Sequence, residues 1–137
     1  MSRFTIAAML VAALSAAGCS NDNPTTPTAP TPEAVTVTFT GTLTRNGATT
    51  FPFSVSAAGT VSATLTSITD ASVMVGLSLG TVPSTGAGCS VVLSNDAAVQ
   101  GTSIYGTASN LGTLCARVYD VGKVVDPQDY QLTVVHF

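Results

Sequence analysis

From Val35 to Thr44 every second residue is a threonine and the residues between are non-polar. That period of two fits a β-strand with Val35, Val37, Phe39 and Leu43 on a dry face and Thr36, Thr38, Thr40, Thr42 and Thr44 on a wet one. The same parity returns in Phe51, Phe53 and Val55 after the Asn46-Gly47 turn, in Val61, Ala63 and Leu65 after Gly59, and in Val73, Val75, Leu77 and Leu79 after Asp70. Four strands therefore follow one another through short turns. Pro52 cannot donate a ladder hydrogen bond, which places the second strand at a sheet edge or a bulge. Further strands are expected at Cys89–Leu93, Gly101–Thr107, Thr113–Asp120 and Tyr130–Phe137. About eight strands with one apolar face each need two sheets packed face to face. The expected fold is an all-β sandwich, and no long stretch after the N-terminal segment has the apolar spacing of a helix.

The chain has 137 residues, enough for one small domain. Only 8% of them are charged, the net charge is -3, and the four basic residues are scattered, so nothing forms the cationic footprint that nucleic acid requires. Residues 1–18 combine an early Arg3, an apolar run around Ile6 to Leu14 and small residues before Cys19. This is the pattern of an export signal, too short in its apolar part to cross a bilayer permanently. Leu14-Ser15-Ala16-Ala17-Gly18-Cys19 resembles the lipobox of bacterial lipoproteins. The resemblance implies cleavage before Cys19 and attachment of acyl chains such as palmitate to it, a stable membrane anchor once two or more chains are present. Ser20 fits passage to the outer membrane. Residues 19–34 then form the lipidated cysteine and a Pro/Thr-rich linker, with Pro24, Pro27, Pro30 and Pro32 and little to bury. Such a stretch favours extended polyproline II at about 3.1 Å per residue and serves as a stalk for the domain at 35–137.

Near the C-terminus, Gly112-Thr113-Leu114-Cys115-Ala116-Arg117-Val118-Tyr119-Asp120 leads to Asp129-Tyr130-Gln131-Leu132-Thr133-Val134, and upstream stands Phe51-Pro52-Phe53-Ser54-Val55-Ser56-Ala57-Ala58-Gly59-Thr60. These segments resemble the closing strands and an early strand and turn of the bacterial pre-peptidase C-terminal (PPC) domain. The resemblance implies a small jelly-roll-like β-sandwich acting as a non-catalytic module. The acidic pair that accompanies calcium binding in some members is here reduced to Asp70, in Asp70-Ala71-Ser72-Val73. A hard cation needs six to eight oxygens, so calcium is not carried over with the resemblance. No peptidase precedes the domain, and the expectation is a module standing alone on its lipid stalk.

The remaining residues offer little chemistry. Gly86-Ala87-Gly88-Cys89 lacks the third glycine and the helix of a dinucleotide loop, and reads as a turn. Ser90 has no nucleophile setting, and His136, the one histidine, reads as a strand-end residue. Asp120, Asp126 and Asp129 come nearest to a metal-binding cluster, but their spacing matches no calcium loop and Lys123 lies among them. Arg117 should stand on an outer sheet face, paired with Asp120 or Asp129. With Cys19 assigned to lipid, Cys89 and Cys115 remain as an even pair in an exported domain and should form a disulfide. Parity opposes it: Cys89 shares the inward side with Val91 and Leu93, Cys115 the outward side with Thr113 and Arg117, so a bulge or strand end must realign one of them. The functional expectation is a lipid-anchored, non-catalytic envelope module without cofactor that binds a protein or glycan. The alternative is a structural accessory subunit of an envelope complex.

Overall fold

The alternating segments become eight strands, and the long-range pairing between them decides what the domain presents to solvent. The computed structural model describes residues 27–137; the signal segment, Cys19 and the first part of the linker lie outside them. Residues 27–34 are exposed and take no regular structure. The strands are β1 (Val35–Leu43), β2 (Ala48–Val55), β3 (Gly59–Ile68), β4 (Val75–Thr81), β5 (Ser90–Ala98), β6 (Ser103–Ala108), β7 (Gly112–Tyr119) and β8 (Gln128–His136).

They form two four-stranded antiparallel sheets, ordered β1-β8-β3-β6 and β2-β7-β4-β5. Only β4 and β5 are consecutive strands paired as a hairpin; every other connection crosses from one sheet to the other. Eight strands wound in this way make a jelly-roll sandwich. The Asn46-Gly47 turn is thus a corner between sheets. Gly47 donates its amide to the Thr44 carbonyl at 2.8 Å, and Asn46 takes the left-handed conformation at φ 57° that its short polar side chain tolerates. Pro52 lies on β2, an edge strand, where proline's missing amide proton is tolerated.

Between the sheets lies one apolar core to which every strand contributes. Leu65, Leu77, Val118, Leu132 and Val134 are among its fully buried members. At one end Phe39 stacks on Phe51 with ring centroids 4.7 Å apart, and Tyr130 meets Phe51 edge-on at 6.3 Å. Tyr130 fits only because the facing residue on β1 is Gly41, where a Cβ would come within 2.7 Å of the phenolic oxygen.

β5 runs on to Ala98, five residues past the expected end, β6 ends one residue later than expected, β7 lies one residue earlier at both ends, and β8 begins two residues earlier and ends one earlier; the starts of β4, β5 and β6 also differ from the sequence expectation. β4 starts at Val75 because Val73 closes a turn, donating to the Asp70 carbonyl at 3.0 Å. β6 starts at Ser103 because Gly101, at φ 85°, turns the chain and bonds Leu65 instead. β5 starts at Ser90, which leaves Cys89 just outside it.

Candidate binding face

The two outer faces of the sandwich differ in how much of their surface is covered by side chains of the described residues. On the second sheet, Tyr119 lies against Gly76 so closely that a Cβ there would sit 2.1 Å from the ring. Arg117 stacks over Tyr119 with its guanidinium carbon 5.2 Å from the ring centre, and the Tyr119 hydroxyl donates to Asp96. Burial first, and then the Asp96 carboxylate, raises the Tyr119 phenol above its ordinary value. Beneath this layer Ser78 is fully buried. Arg117 does stand on an outer face, but its contact is an aromatic ring; neither Asp120 nor Asp129 is its partner, because the outward neighbour two places along β7 is Tyr119.

The same sheet carries the cysteine pair. Cys89 and Cys115 lie at disulfide distance, with S–S 2.05 Å and Cα atoms 5.8 Å apart. The parity conflict is removed by a bulge. Leu79 faces Leu93, but the next pair is Gly80 with Val91, so Val92 is the extra residue. Val91 therefore shares the outward side with Gly80, correcting its expected inward direction, and Cys89 is carried to the same side as Cys115. Cys115 is wholly buried at an outward position, so the approach to β5 covers that end of the face.

The outer face of the first sheet is bare by comparison. Registered pairing sets Thr38 beside Thr133, Thr133 beside Thr64, and Thr64 beside Ser103, a row of hydroxyls across all four strands. Thr64 and Ser103 share a hydrogen bond of 2.7 Å, and Thr66 and Thr133 one of 2.6 Å. Cross-strand pairs of this type stabilise a sheet by about 0.2–1 kcal/mol each. A bulge at Thr66 interrupts β3, since Leu65 pairs with Leu132 and Ser67 with Gln131. Without it Ser67 would point into the core; with it Ser67 turns outward and Ile68 takes the buried place.

That bulge shapes a shallow groove of about 410 Å³ lined by Thr40, Gly41, Thr42, Ser67, Asp129, Tyr130 and Gln131. It is open to solvent along its length and lined mainly by polar groups. Within it the Thr42 hydroxyl donates to Asp129 Oδ1 at 2.5 Å, while Asp129 Oδ2 takes no bond among the described residues. Tyr105 stands on the same face, on the edge strand β6, and is 68% exposed, which makes its ring a surface rather than a core element. A second, apolar crevice of about 90 Å³ opens between the sheets at Val61, Leu79, Leu93, Gly106 and Leu114. Thr81 and Thr107 are its polar lining residues, and the rest of the wall is apolar or glycine.

Asp120, Asp126 and Asp129 are not brought together, and no group of three metal-ligating side chains occurs among the described residues. Asp129 belongs to the groove, and Asp126 accepts through its carbonyl from the Gln128 amide. Asp120 is a turn residue. Its Oδ2 accepts from the Asn46 amide at 2.8 Å, and its Oδ1 from the amides of Gly122, Lys123 and Val124 at 2.8, 2.9 and 3.0 Å. Those donors, led by Asn46 and then Val124, hold its carboxyl at about 2, below the ordinary 3.8. Its folded pKa is depressed, so its contribution is present above pH 3.8 and fades as pH falls towards 2. We expect Asp120→Asn to lose roughly 1–2 kcal/mol at neutral pH, discounted for solvent exposure, with the gap closing in acid. Urea midpoints of both proteins at pH 7 and pH 2.5 test this; a gap of equal size at both would contradict it.

Ser90 and His136 lie on different sheets. His136 is buried, its ring 5.2 Å from that of Phe53. Asp70 accepts from the amide and hydroxyl of Ser72, and the hydroxyl and then the amide lower its carboxyl pKa. Tyr105, Ser67 and Gln131 were not singled out from the sequence. The outward position of Tyr105 is legible as the neighbour of apolar Ile104, whereas Ser67 and Gln131 acquire meaning only through the bulge and the pairing of β3 with β8. Set against known proteins, the chain matches no family model, and no curated protein matches it.

Proposed function

We propose that this chain is a non-catalytic, lipid-anchored module of the bacterial cell envelope, exposing one sheet face to bind a protein or glycan. The observation that carries the reading is the outer face of the β1-β8-β3-β6 sheet, which no side chain of the described residues covers and which holds the Thr40–Asp129–Gln131 groove. Binding sites of this kind need a few placed polar groups on a rigid scaffold and no reactive constellation. The resemblance to PPC domains supports the same reading, since those modules are non-catalytic. In this proposal Cys19 carries the acyl chains, residues 19–34 act as the stalk, and the outer membrane is the site of attachment.

The lipid part has its own expected outcome. Wild-type protein partitions with membranes, and Cys19→Ala accumulates as precursor or is released. Mass measurement of the mature N-terminus tests it: an acylated Cys19 as first residue is expected, and an unmodified terminus elsewhere would refute the anchor.

A structural accessory subunit is the second reading. It is favoured by Val91 and Val92 on the edge strand β5, which are 47% and 72% exposed and offer an apolar strip beside unpaired backbone groups. A stable complex recovered from detergent extract and lost in Val92→Lys would favour it; a lone monomer would favour the binding module.

A further inference from the structure

The four strands of the open sheet contain one acidic residue, Asp129, and no Lys or Arg. Their outward residues are otherwise threonines and serines, the Gln131 amide, Val135 and the exposed Tyr105. Protein interfaces concentrate aromatic, Met and Arg side chains around an apolar centre, which this face lacks. An anionic polymer would find no cation here and would meet the Asp129 carboxylate. A neutral, polyhydroxylated ligand suffers neither penalty.

Resting on the binding-module reading above, we propose that this face binds a linear neutral glycan, held by Asp129 and Gln131 in the groove and by Tyr105 further along the sheet. Asp129 Oδ2 accepts a sugar hydroxyl while Oδ1 stays fixed by Thr42. The Gln131 amide donates and accepts at once, which suits a hydroxyl that does both. Thr40 and Ser67 line the same groove with further hydroxyls. The Tyr105 ring supplies a flat apolar body with a polar tip, suited to the C–H face of a sugar ring. At about 4.8 Å between strands and about 3.4 Å per residue, Tyr105 lies on the order of 20 Å from the groove, a span that an extended oligomer bridges and a single sugar does not.

The test uses the full chain in a non-sugar detergent, titrated by calorimetry with neutral hexasaccharides of glucose, mannose, xylose and N-acetylglucosamine, and with an acidic hexasaccharide. At least one neutral hexamer is expected to bind, and Tyr105→Ala and Gln131→Ala should each weaken it about tenfold or more while keeping the wild-type melting temperature. Binding of no neutral hexamer, tighter binding of the acidic one, or binding indifferent to both substitutions would overturn the proposal. A photoreactive residue in place of Thr40, activated in cells, separates the two levels of the account. If neutral glycans fail but a protein is captured there, the glycan inference falls and the binding-module reading stands. If neither ligand is found, both fall.

Discussion

The Cys89→Ala/Cys115→Ala double variant should unfold with a free energy lower by roughly 3.5 kcal/mol, the chain entropy released when a loop of about 26 residues is no longer closed in the denatured state. The sequence separation of 26 spans the whole of β5 and β6, so the bond restrains a large part of the unfolded chain. Domains of this size are commonly stable by only about 5–15 kcal/mol, which makes this one bond a large share. Alanine is the informative replacement because Cys115 is wholly buried and a serine hydroxyl there would add its own desolvation cost. With an m value of about 1–1.5 kcal/mol/M, the urea midpoint should fall by about 2.3–3.5 M. Reduction of the wild type should reproduce the shift. An unchanged midpoint in both cases would remove the bond from the account of stability.

The second large effect is expected at Gly80. The bulge at Val92 brings the backbone of β5 so near that a Cβ on Gly80 would lie 2.1 Å from the Ser90 carbonyl oxygen and 3.0 Å from the Val91 Cα. No rotamer relieves a clash with backbone; β5 itself must move, and with it the approach to Cys89. Gly80→Ala should therefore cost about 3 kcal/mol, at the upper end of the range for overpacking. Gly106→Ala is the control, since its Cβ would meet only the flexible ends of Leu93, at 3.2 Å, and Leu79, at 3.8 Å, and should cost less than about 1 kcal/mol. Thermal unfolding of the two variants gives the comparison; equal losses would mean that β5 is free to shift.

These two sites show what a linear reading reaches and where it stops. The alternation of β1 is set by nearest neighbours and was legible from Val37 onward, while Val35 at the strand's start is exposed; Pro52 pointed to an edge or a bulge, and β2 is an edge. Counting cysteines was enough to pair Cys89 with Cys115 and to see that their parities conflicted. The direction of Val91 was misread because parity is counted along one strand, while the bulge at Val92 exists only in the pairing of β5 with β4. The assignment of strands to sheets was likewise out of reach. β1 pairs with β8, from Val35 with His136 to Leu43 with Gln128, and no local signal reports a partner so distant in sequence. Asp120 was set aside as a metal ligand, but its role in the turn was not read, although Asp120-Val121-Gly122 has the composition of an Asx turn. The groove depends on three strands and a bulge, and so could not be seen in any one segment.

The central claim is that the outer face of the β1-β8-β3-β6 sheet is the binding surface. Its most direct test is amide chemical-shift mapping of the labelled full chain as a solubilised envelope fraction is added. The account predicts shifts clustered at Thr40, Thr42, Ser67, Tyr105 and Gln131. Shifts clustered instead at Thr50, Ser94, Arg117 and Tyr119, on the opposite sheet, would contradict it.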